Sequence, residues 1–554
     1  MINFTERWLV TAALPYSNNL PHVGNIVGSH LPADIFARFL RLFGEDVVFV
    51  GGTDEHGSPV EVAAFKQNIT PQELTNRLYL VHKKIYEWFG ISYDNFSRTS
   101  SQINHKTTQE IFLNLLNNGF VTKKKLLLPY CQNDRRFLPD RWVEGTCPYC
   151  KFKPARGDQC ENCGRLLDPQ DLIEPYCVID KTKPIFKEVE HLFLDLPKIE
   201  SQLLKWIKSQ KHWRPNVKNT ALGWIKEGLK TRSISRDLSW GIPIPLEGYK
   251  NKVFYVWFDA PIGYISATIE WAERNRKNWK DYWQNETKIV HFLGKDNIAF
   301  HTITWPATLM GAGGFSLPHD VVGFEFLNYE GDKISKSRNW GIFLDVQNGE
   351  VKIIQNENIV DIDADLLRFY LALIMPETKD SDFVWKDFQE KVNAELIGNF
   401  GNFVYRTLSF LKTNFNSVVP EPDTLSAKDK AVFKKISEKK KTIQKLIYDY
   451  KFRDALKEAL ELSAVGNKYF QDKEPWKILK SDPEETRNTL YVSVNLVRSL
   501  AIIFSPFVPF ACEKIWSQLN VEAEQNWNEL DEIKLEPGHK IGKIQPLFKK
   551  FEIE

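Results

Sequence analysis

The sequence WLVTAALPYSNNLPHVGN, residues 8–25, contains the pattern on which the fold prediction depends: an apolar strand followed by a loop rich in proline and asparagine. Beyond this loop, apolar side chains recur at three- and four-residue spacing at Val27, Leu31, Ile35 and Phe39, which predicts a helix. A strand, a loop and a helix in this order are typical of the opening of an α/β fold.

The next segment is a second strand that ends in a polar loop. Gly44 predicts the end of the helix, residues 47–50 predict a buried strand, and the loop GGTDEHG, residues 51–57, follows it. In open parallel sheets, ligands bind outside the carboxyl ends of the strands. We therefore expect the two polar loops to face one crevice at the edge of a parallel sheet.

The pattern changes three times along the rest of the chain. Between about residues 121 and 229, cysteine knuckles, scattered prolines and basic residues replace the alternation of strands and helices, which predicts an insertion. Apolar runs at 253–258 and 289–293 predict that the sheet then resumes. From about residue 386, apolar residues at helical spacing predict a C-terminal helical bundle.

Length and charge limit the classes of function. At roughly 150 residues per domain, 554 residues predict three or four domains. The 73 Lys and Arg residues against 71 Asp and Glu residues leave a charge of +2, so we expect no DNA partner, and any other polyanion must bind a local patch. The longest nearly apolar stretch, residues 501–512, contains two prolines and is shorter than the roughly 18 residues of a membrane span. With no signal-peptide core at the N-terminus, we expect a soluble, cytoplasmic protein without a membrane partner.

Four of the seven cysteines form two closely spaced pairs. Cys147 and Cys150 form one C-x-x-C knuckle, and Cys160 and Cys163 form another after nine intervening residues. Each knuckle turns both sulfur atoms toward one ion, so the spacing predicts a tetrahedral zinc site; four unbound thiols are the alternative. Because four thiolates leave zinc no position for water, we expect a structural ion.

Two short motifs carry candidate phosphate-binding groups. At the start of the first helix, His22 and Asn25 can donate hydrogen bonds to phosphate oxygens, and Gly24 allows a flat ring to approach closely. Much later, the loop GDKISKS, residues 331–337, places Lys333 and Lys336 among small residues, which suits a mobile loop that closes on phosphate charge. Either motif alone is typical of an ordinary surface loop, whereas the two together are more specific.

These motifs belong to a resemblance that extends along essentially the whole chain. PYSNNLPHVGN (15–25) and KISKS (333–337) resemble the two signatures of the class I aminoacyl-tRNA synthetases. Segments similar to the methionyl-tRNA synthetase family, in the same order, are TAALPY (11–16), GGTDEHG (51–57), VWFDAPIGY (256–264) and GKD (294–296). Two positions depart from the family: Asn25 stands where many members have histidine, and Ile334 stands where methionine is commoner. The side-chain amide of Asn25 still donates a hydrogen bond, but unlike histidine it cannot take up a proton and become positively charged.

The resemblance implies an α/β fold, with a Rossmann-like parallel-sheet catalytic domain split by a zinc-knuckle connective insertion and followed by an α-helical anticodon-binding bundle. The implied boundaries are 1–120 and 230–324 for the catalytic halves, 121–229 for the insertion, 325–385 for a stem-contact region with the lysine loop, and 386–554 for the bundle. The implied reaction converts methionine and Mg-ATP to methionyl-adenylate and pyrophosphate. Methionine then passes to the 3′ end of tRNA(Met).

The resemblance also implies roles for individual residues. The expected catalytic residues are His22, Asn25, Lys333 and Lys336, and the expected ATP-binding residues are His22, Gly24, Asn25, Gly294, Asp296 and Lys336. The expected methionine pocket consists of Leu14, Asp54, Trp257, Ala260, Pro261, Tyr264, Phe300 and His301. Aromatic rings suit a thioether sulfur. The Asp54 carboxylate can pair with the substrate ammonium, and Arg236 can hold the Asp54 carboxylate in place. A loop cap or a plain salt bridge is the alternative for Asp54.

Two further groups of residues are interpreted through the resemblance. Asn402, Arg406 and Trp476 match anticodon contacts, since RNA loops are recognised by stacking on aromatic rings and by polar side chains on base edges. Without the resemblance, they would be an ordinary helix face and a partly buried tryptophan. Cys131 with Asp134 and Cys177 with Asp180 look like the second knuckle pair of some members. A mixed set of thiolates and carboxylates combines soft and hard ligands, so we expect this site to have lost its metal.

Two other functions stay open at this point. Another class I synthetase, for cysteine or a branched aliphatic amino acid, would share the signatures, although residues 256–264 and the anticodon set disfavour it. A tRNA-binding paralogue without catalysis would have no use for both His22 and the lysine loop. We also expect a monomer, because the sequence reaches Glu554 soon after residues 546–548, without the C-terminal tRNA-binding module through which some members dimerise.

Overall fold

The computed structural model describes residues 6–553 apart from 140–141, 158–159, 161, 164, 166, 356 and 522–524. The central element is a five-stranded parallel sheet. Its strands are Arg7–Ala12, Asp46–Thr53, Asn95–Arg98, Lys288–Gly294 and Asp320–Phe324. Numbered along the chain, they lie in the spatial order 3-2-1-4-5, with the first strand in the middle. This order is that of a Rossmann-like sheet and confirms the predicted fold class.

The predicted strand, loop and helix at the start of the chain are confirmed. The helix runs through Val23–Asn25, a wider π-helical segment Ile26–His30, and Leu31–Phe43. It ends at Gly44, whose φ of 92° lies in the left-handed region that favours glycine. Its apolar face is buried against the central sheet, so the loop before Val23 is fixed at the carboxyl end of the first strand.

The prediction that residues 253–258 rejoin the sheet is wrong. Only Val253–Phe254 is extended, and it pairs antiparallel with Ser235–Arg236 outside the central sheet. The backbone N–H of Tyr255 donates to the Ile234 carbonyl, after which Val256–Asp259 forms a helical turn. A six-residue apolar run fits a buried strand and a buried helical segment equally well, and here the tertiary contacts decide.

The cysteine-rich region is made of antiparallel strands. One sheet contains Val121–Cys131, Arg136–Phe137, Ile185–Leu194 and Arg232–Ser233, and a smaller sheet contains Val143–Thr146, Ala155–Arg156 and Ile173–Cys177. The helices Leu196–Ser209 and Pro215–Lys226 follow, and their buried side chains share one hydrophobic core with the central sheet. The strands at residues 121–194 therefore lie beside the central sheet rather than within it.

The remaining elements complete the α/β part and form the helical part. Helices of the α/β part are Ser58–Lys66, Pro71–Trp88, Gln102–Asn117, Ile262–Asn275, Lys280–Trp283, Trp305–Ala312 and Ala364–Leu373. Short strands are Leu327–Tyr329, Asp332–Lys333, Ile342–Gln347, Glu350–Gln355, Asn358–Val360 and Ser381–Phe383. The C-terminal helices are Trp385–Lys391, Val392–Gly401, Asn402–Asn414, Ala427–Tyr448, Phe452–Lys473, Pro475–Ile478, Pro483–Phe504 and Pro509–Leu519, which confirm the predicted helical region. Among the described residues, none of these helices combines the length and apolarity that crossing a membrane requires.

A buried arginine joins the helical region to the first helix of the sheet domain. The guanidinium of Arg368 is fully buried, forms an ion pair of 2.7 Å with Asp34, and donates to the carbonyls of Phe89, Pro506 and Phe507. Removing one partner of such a pair leaves an uncompensated buried charge and costs about 3–5 kcal/mol. This network therefore fixes the helical region against the first helix of the central sheet.

Candidate active site

A cavity of about 780 Å³ lies at the carboxyl ends of the central strands Arg7–Ala12 and Lys288–Gly294. The predicted site residues in its wall are Leu14, His22, Gly24, Asn25, Asp54, Trp257, Ala260, Pro261, Tyr264, Gly294, Asp296, Phe300, His301 and Lys333. Lys336 and Arg236 are not among them. The structure thus brings both signature motifs to one crevice, as expected for a parallel sheet.

The two polar loops that follow the first two strands are hydrogen-bonded to each other. The Asp54 backbone N–H donates to the Pro15 carbonyl at 2.9 Å, and the Ser17 N–H donates to the Asp54 carbonyl at 2.8 Å. Each loop therefore supports the other, and the position of the Asp54 carboxyl is set by the same backbone that leads to His22. This pairing agrees with the predicted common crevice.

The His22 imidazole is held in place and left with an unused polar atom. The Asn25 side-chain oxygen accepts from the His22 backbone N–H at 3.2 Å, which closes the first turn of the helix. The buried Nδ1 of His22 has no hydrogen-bond partner in the described part of the chain. Burial, helped by the positive charge of Lys336, lowers the pKa of His22 to about 3. The imidazole is therefore neutral near pH 7 and can form hydrogen bonds without carrying a charge.

Gly24 lies where the two signature motifs touch. A Cβ at this position would lie 2.9 Å from His22 Nδ1 and 3.3 Å from Ile334 Cδ1, too close for either neighbour to keep its place. Next to this contact, the Leu344 N–H donates to the Pro21 carbonyl at 3.0 Å. The segment after the lysine loop is therefore bonded to the backbone of the first motif, and a side chain at position 24 would displace the His22 imidazole.

The two lysines of the second motif lie in different cavities. Lys333 is exposed and forms part of the wall of the main cavity. Lys336 lines a neighbouring cavity of about 560 Å³, together with Asn18, Lys66 and Arg156. Burial lowers the pKa of Lys336 to about 8. The loop thus presents one ammonium group to the site and keeps the other behind the first motif.

The Asp54 carboxyl is buried, and its Oδ1 lacks a hydrogen-bond partner among the residues that the structure describes. Burial and the nearby negative charge of Asp259 raise the pKa of Asp54 well above its usual value. Asp259 Oδ2 in turn lies 2.8 Å from His56 Nδ1, within hydrogen-bond distance. A cation bound at Asp54 would satisfy the unpartnered oxygen and stabilise the ionised carboxylate.

Arg236 does not hold Asp54. Its guanidinium donates to the Ser233 hydroxyl and the Ser235 carbonyl, both at 2.8 Å, and lies 3.8 Å from the centre of the Tyr255 ring. In the described part of the chain, no hydrogen bond or ion pair joins Arg236 to Asp54. The physical reason is local, since the two-stranded pairing of Ser235–Arg236 with Val253–Phe254 directs this side chain to Tyr255.

Aromatic side chains form the part of the cavity next to Asp54. The rings of Trp257 and Phe300 have centroids 6.0 Å apart, and Trp257 Nε1 donates to the Tyr16 hydroxyl. His301 Nε2 lies 3.0 Å from the Tyr264 hydroxyl. Burial lowers the pKa of His301 to about 4, so this pair is uncharged. The surface is mainly aromatic with one neutral polar pair, which suits a small apolar group of high polarizability.

The four cysteines of the predicted zinc site converge. Cys147 Sγ lies 3.9 Å from Cys163 Sγ, and Cys150 Sγ lies 3.5 Å from Cys160 Sγ. All four sulfur atoms lie within 4.8 Å of one another. Sulfurs bound tetrahedrally to zinc at roughly 2.3 Å are about 3.8 Å apart, so the cluster fits one ion.

The second cluster is also compact, but its groups bond to each other. The Cys131 thiol donates to Asp180 at 3.2 Å, and the Cys177 thiol donates to Asp134 at 3.7 Å. Their ligand atoms too lie within 4.8 Å of one another. Each cysteine has the carboxylate of the opposite half-knuckle as its partner, and the expected loss of metal from this site stays a prediction.

The three predicted anticodon residues share one surface of the helical region. The Arg406 guanidinium carbon lies 5.4 Å from the centre of the Trp476 ring, which is 40% exposed. Asn402, one helical turn before Arg406, donates to Asn467 at 3.3 Å. An exposed aromatic ring beside a guanidinium and an amide can stack with a base and contact its edge.

Sequence reasoning missed several residues in the cavity wall, namely Tyr16, Ser29, His30, Arg232, Asn297, Thr304, Glu325 and Asn328. Tyr16 lies inside the first motif, so its position in the sequence could have identified it as a residue of the cavity wall. His30 lies in the π-helical segment, where an irregular helix often marks a functional site. Its Nδ1 and Nε2 contact the hydroxyls of Tyr93 and Tyr86, which fixes the ring behind the first motif.

Comparison with known proteins extends these observations to the whole chain. Residues 8–408 match the family described as tRNA synthetases class I (M), and residues 419–554 match the anticodon binding domain of methionyl tRNA ligase. The methionine–tRNA ligase of Pyrococcus furiosus is 47% identical over 560 residues, which cover 98% of this chain and 75% of that protein. The methionine–tRNA ligase of Bacteroides fragilis is 45% identical over 552 residues, which cover 99% and 79%. The solved structure of Mycobacterium tuberculosis methionyl-tRNA synthetase in complex with methionyl-adenylate has 26% identity and a TM-score of 0.79, and the match covers 98% of this chain and 100% of that one.

Proposed function

The chain belongs to the methionyl-tRNA synthetase family, and we propose that its 780 Å³ cavity is where methionine and ATP become methionyl-adenylate. The methionyl group is then transferred to the 3′ end of tRNA(Met). The observation that carries this proposal is that His22 and Lys333, from motifs far apart in sequence, line one cavity together with Asp54, whose buried Oδ1 has no hydrogen-bond partner among the described residues.

Methionine binds through its ammonium group and its side chain. The ammonium pairs with Asp54, whose buried Oδ1 finds no other partner in the part of the chain that the structure describes. The side chain lies among Leu14, Trp257, Ala260, Pro261, Tyr264, Phe300 and His301. Because His301 and Tyr264 form a neutral pair, this part of the pocket has no charge that would favour an acidic or basic side chain.

ATP binds with its phosphates beside the first helix and its nucleoside toward Gly294 and Asp296. The neutral imidazole of His22 and the amide of Asn25 donate to phosphate oxygens on one side, and Gly24 leaves room for the nucleotide. Lys333 approaches from the opposite wall. Mg²⁺ enters bound to ATP and neutralises part of the triphosphate charge.

In the activation step, a carboxylate oxygen of methionine forms a bond to the α-phosphorus of ATP. The bond between this phosphorus and the bridging oxygen breaks, and pyrophosphate leaves. Here the protein positions the reactants and stabilises charge, and it forms no covalent bond itself. Lys333 and Lys336 supply the positive charge for the leaving pyrophosphate, and Lys336 reaches it by a movement of the loop.

Two regions outside the cavity have supporting roles. We propose that Cys147, Cys150, Cys160 and Cys163 hold a structural zinc ion, since their sulfur distances fit tetrahedral thiolate coordination. Asn402, Arg406 and Trp476 contact the anticodon of the tRNA, with Trp476 as the stacking surface.

The test is ATP–pyrophosphate exchange with a panel of amino acids, followed by aminoacylation of tRNA(Met). We expect exchange with methionine, at most weak exchange with homocysteine, and none with cysteine or leucine. Exchange with cysteine or leucine in preference to methionine would contradict the proposed pocket. Binding of tRNA without any exchange would instead identify a chain that binds tRNA but has no catalytic activity.

A further inference from the structure

A third group of potential metal ligands lies at the end of the central sheet opposite the cavity. His319 precedes the strand Asp320–Phe324 and Asp320 begins it, whereas the cavity is at the carboxyl ends of the strands. His212 lies in the turn between the helices Leu196–Ser209 and Pro215–Lys226, and its side chain contacts Asp320. We propose that His212, His319 and Asp320 form a site for a divalent transition-metal ion such as Zn²⁺.

The distances between the three side chains are close to those of a coordination shell. His212 Nε2 lies 3.3 Å from Asp320 Oδ1, and His319 Nε2 lies 3.7 Å from Asp320 Oδ2. If each residue supplies one ligand atom, the three atoms lie within 4.8 Å of one another. Ligands bound tetrahedrally at roughly 2.0–2.1 Å are about 3.3–3.4 Å apart, a spacing that His212 Nε2 and Asp320 Oδ1 already have. His319 now faces the other oxygen, Oδ2, so its ring must turn for all three side chains to share one ion.

The two imidazole rings must tilt to share an ion, and their surroundings allow it. The rings are stacked, with centroids 4.6 Å apart and 23° between their planes. The side chains of His212 and His319 are 43% and 36% exposed, so their edges can turn and an ion can enter from solvent. Asp320, by contrast, is buried, and its Oδ2 accepts from the Tyr450 hydroxyl at 2.7 Å. That hydrogen bond orients the carboxylate, as outer partners of metal ligands do.

The His319 carbonyl keeps a hydrogen-bond donor when a metal ion binds. Without an ion, His212 Nε2 lies 2.9 Å from the His319 carbonyl, a hydrogen bond that would be lost when Nε2 binds a metal. Trp213 Nε1 donates to the same carbonyl at 2.9 Å. The carbonyl therefore keeps a donor when the imidazole turns away.

The ligand types select the class of ion. Two imidazoles and one carboxylate suit Zn²⁺, Ni²⁺ or Cu²⁺, whereas Mg²⁺ and Ca²⁺ require a shell of oxygen atoms. Three protein ligands leave a fourth position for water. Because Tyr450 belongs to the helical part of the chain, an ion here links the turn at His212, the sheet and, through Asp320, the helical part.

The test is a titration of the full chain with Zn²⁺ while the four-cysteine cluster stays loaded. We expect the unaltered chain to bind one equivalent more than the His212→Ala variant by calorimetry and by metal analysis after dialysis. His539→Ala, which removes a histidine far along the chain, is the matched control and keeps the extra equivalent. If the unaltered chain and His212→Ala bound the same number of equivalents, the proposal would be overturned. The three side chains would then form a hydrogen-bonded cluster that binds no metal.

A second measurement does not depend on stoichiometry. Zn²⁺ should raise the unfolding temperature of the unaltered chain and of His539→Ala, but not that of His212→Ala, and Mg²⁺ at the same concentration should have no such effect. Since His212 is 43% exposed, its replacement leaves the core intact, and melting without added metal checks this. An equal Zn²⁺ shift in His212→Ala would assign the effect to another site.

Discussion

The two walls of the substrate cavity differ in how firmly the chain holds them. On the first wall, the Nδ1 atom of His22 is buried, Asn25 closes the helical turn around this residue, and the Pro21 carbonyl accepts from the Leu344 N–H. On the second wall, Lys333 is exposed and Lys336 lines a neighbouring cavity. We therefore propose that the first wall is formed before substrate binds and that the second completes the site by moving.

The walls also differ in electrostatics. Burial and Lys336 keep His22 uncharged by lowering its pKa to about 3. Burial also lowers the pKa of Lys336, to about 8, so this lysine is mostly charged at pH 7 but loses its charge more easily than an exposed lysine. The first wall therefore supplies hydrogen bonds, and the second supplies charge that depends on pH.

The largest expected effect comes from the moving wall. Lys336→Ala should lower the rate of methionine-dependent ATP–pyrophosphate exchange by about 10²-fold or more, because it removes one donor to the developing pyrophosphate charge. Lys352→Ala, at a partly exposed lysine paired with Glu350, is the matched control and should keep its activity. An unchanged rate in Lys336→Ala would remove this residue from the mechanism.

On the fixed wall, replacing His22 should have a smaller effect that depends on the new side chain. His22→Ala should lower the exchange rate by about 10- to 100-fold, the range expected for a hydrogen bond to a charged group. His22→Asn should retain more activity, since the imidazole is neutral and an amide also donates. If Asn were no better than Ala, hydrogen-bond donation would not be the role of His22.

The contact between the walls can be altered directly at Gly24. In Gly24→Ala the new methyl group would meet His22 Nδ1 at 2.9 Å and Ile334 Cδ1 at 3.3 Å, so the imidazole must shift. We expect about a 10-fold loss of exchange activity, since small displacements of positioning groups are costly. Gly223→Ala is the control, because its Cβ would meet no atom within 4 Å. Equal activity of the two variants would indicate that Gly24 is not a packing constraint.

The smallest expected effect is on the pH profile. As pH rises through about 8, Lys336 loses its proton, so kcat/KM for ATP should fall about 10-fold per unit above this value. Arginine stays charged throughout this range, and Lys336→Arg should therefore lack this alkaline limb even if its activity is lower. An identical limb in Lys336→Arg would assign the titration to a different group.

Local patterns predicted the parts of the fold that local interactions determine. The helix that ends at Gly44 and the strand predicted at residues 47–50 follow from a glycine stop and an apolar run, and both are confirmed. The strand runs over Asp46–Thr53, however, so the first three residues of the predicted loop 51–57 belong to the strand. The run 253–258 was predicted wrongly because its short apolar pattern fits two structures, and the hydrogen bond from Tyr255 to Ile234 decided between them.

The candidate site was predictable to the extent that it consists of motifs. The convergence of His22 and Lys333 follows from where parallel strands end, a rule that applies without coordinates. The position of Lys336 in a second cavity and the contact of Arg236 with Tyr255 depend on packing between distant segments, which no spacing encodes. His30 was missed because only the π-helical turn identifies it.

The most direct test of the two-wall account is a crystal structure of this chain with methionine and a non-hydrolysable ATP analogue. We predict a triphosphate in the 780 Å³ cavity, with His22 and Asn25 on one side, Lys333 and a displaced Lys336 on the other, and the methionine ammonium at Asp54. A triphosphate bound elsewhere, or one contacted by the lysines without His22 and Asn25, would contradict the account.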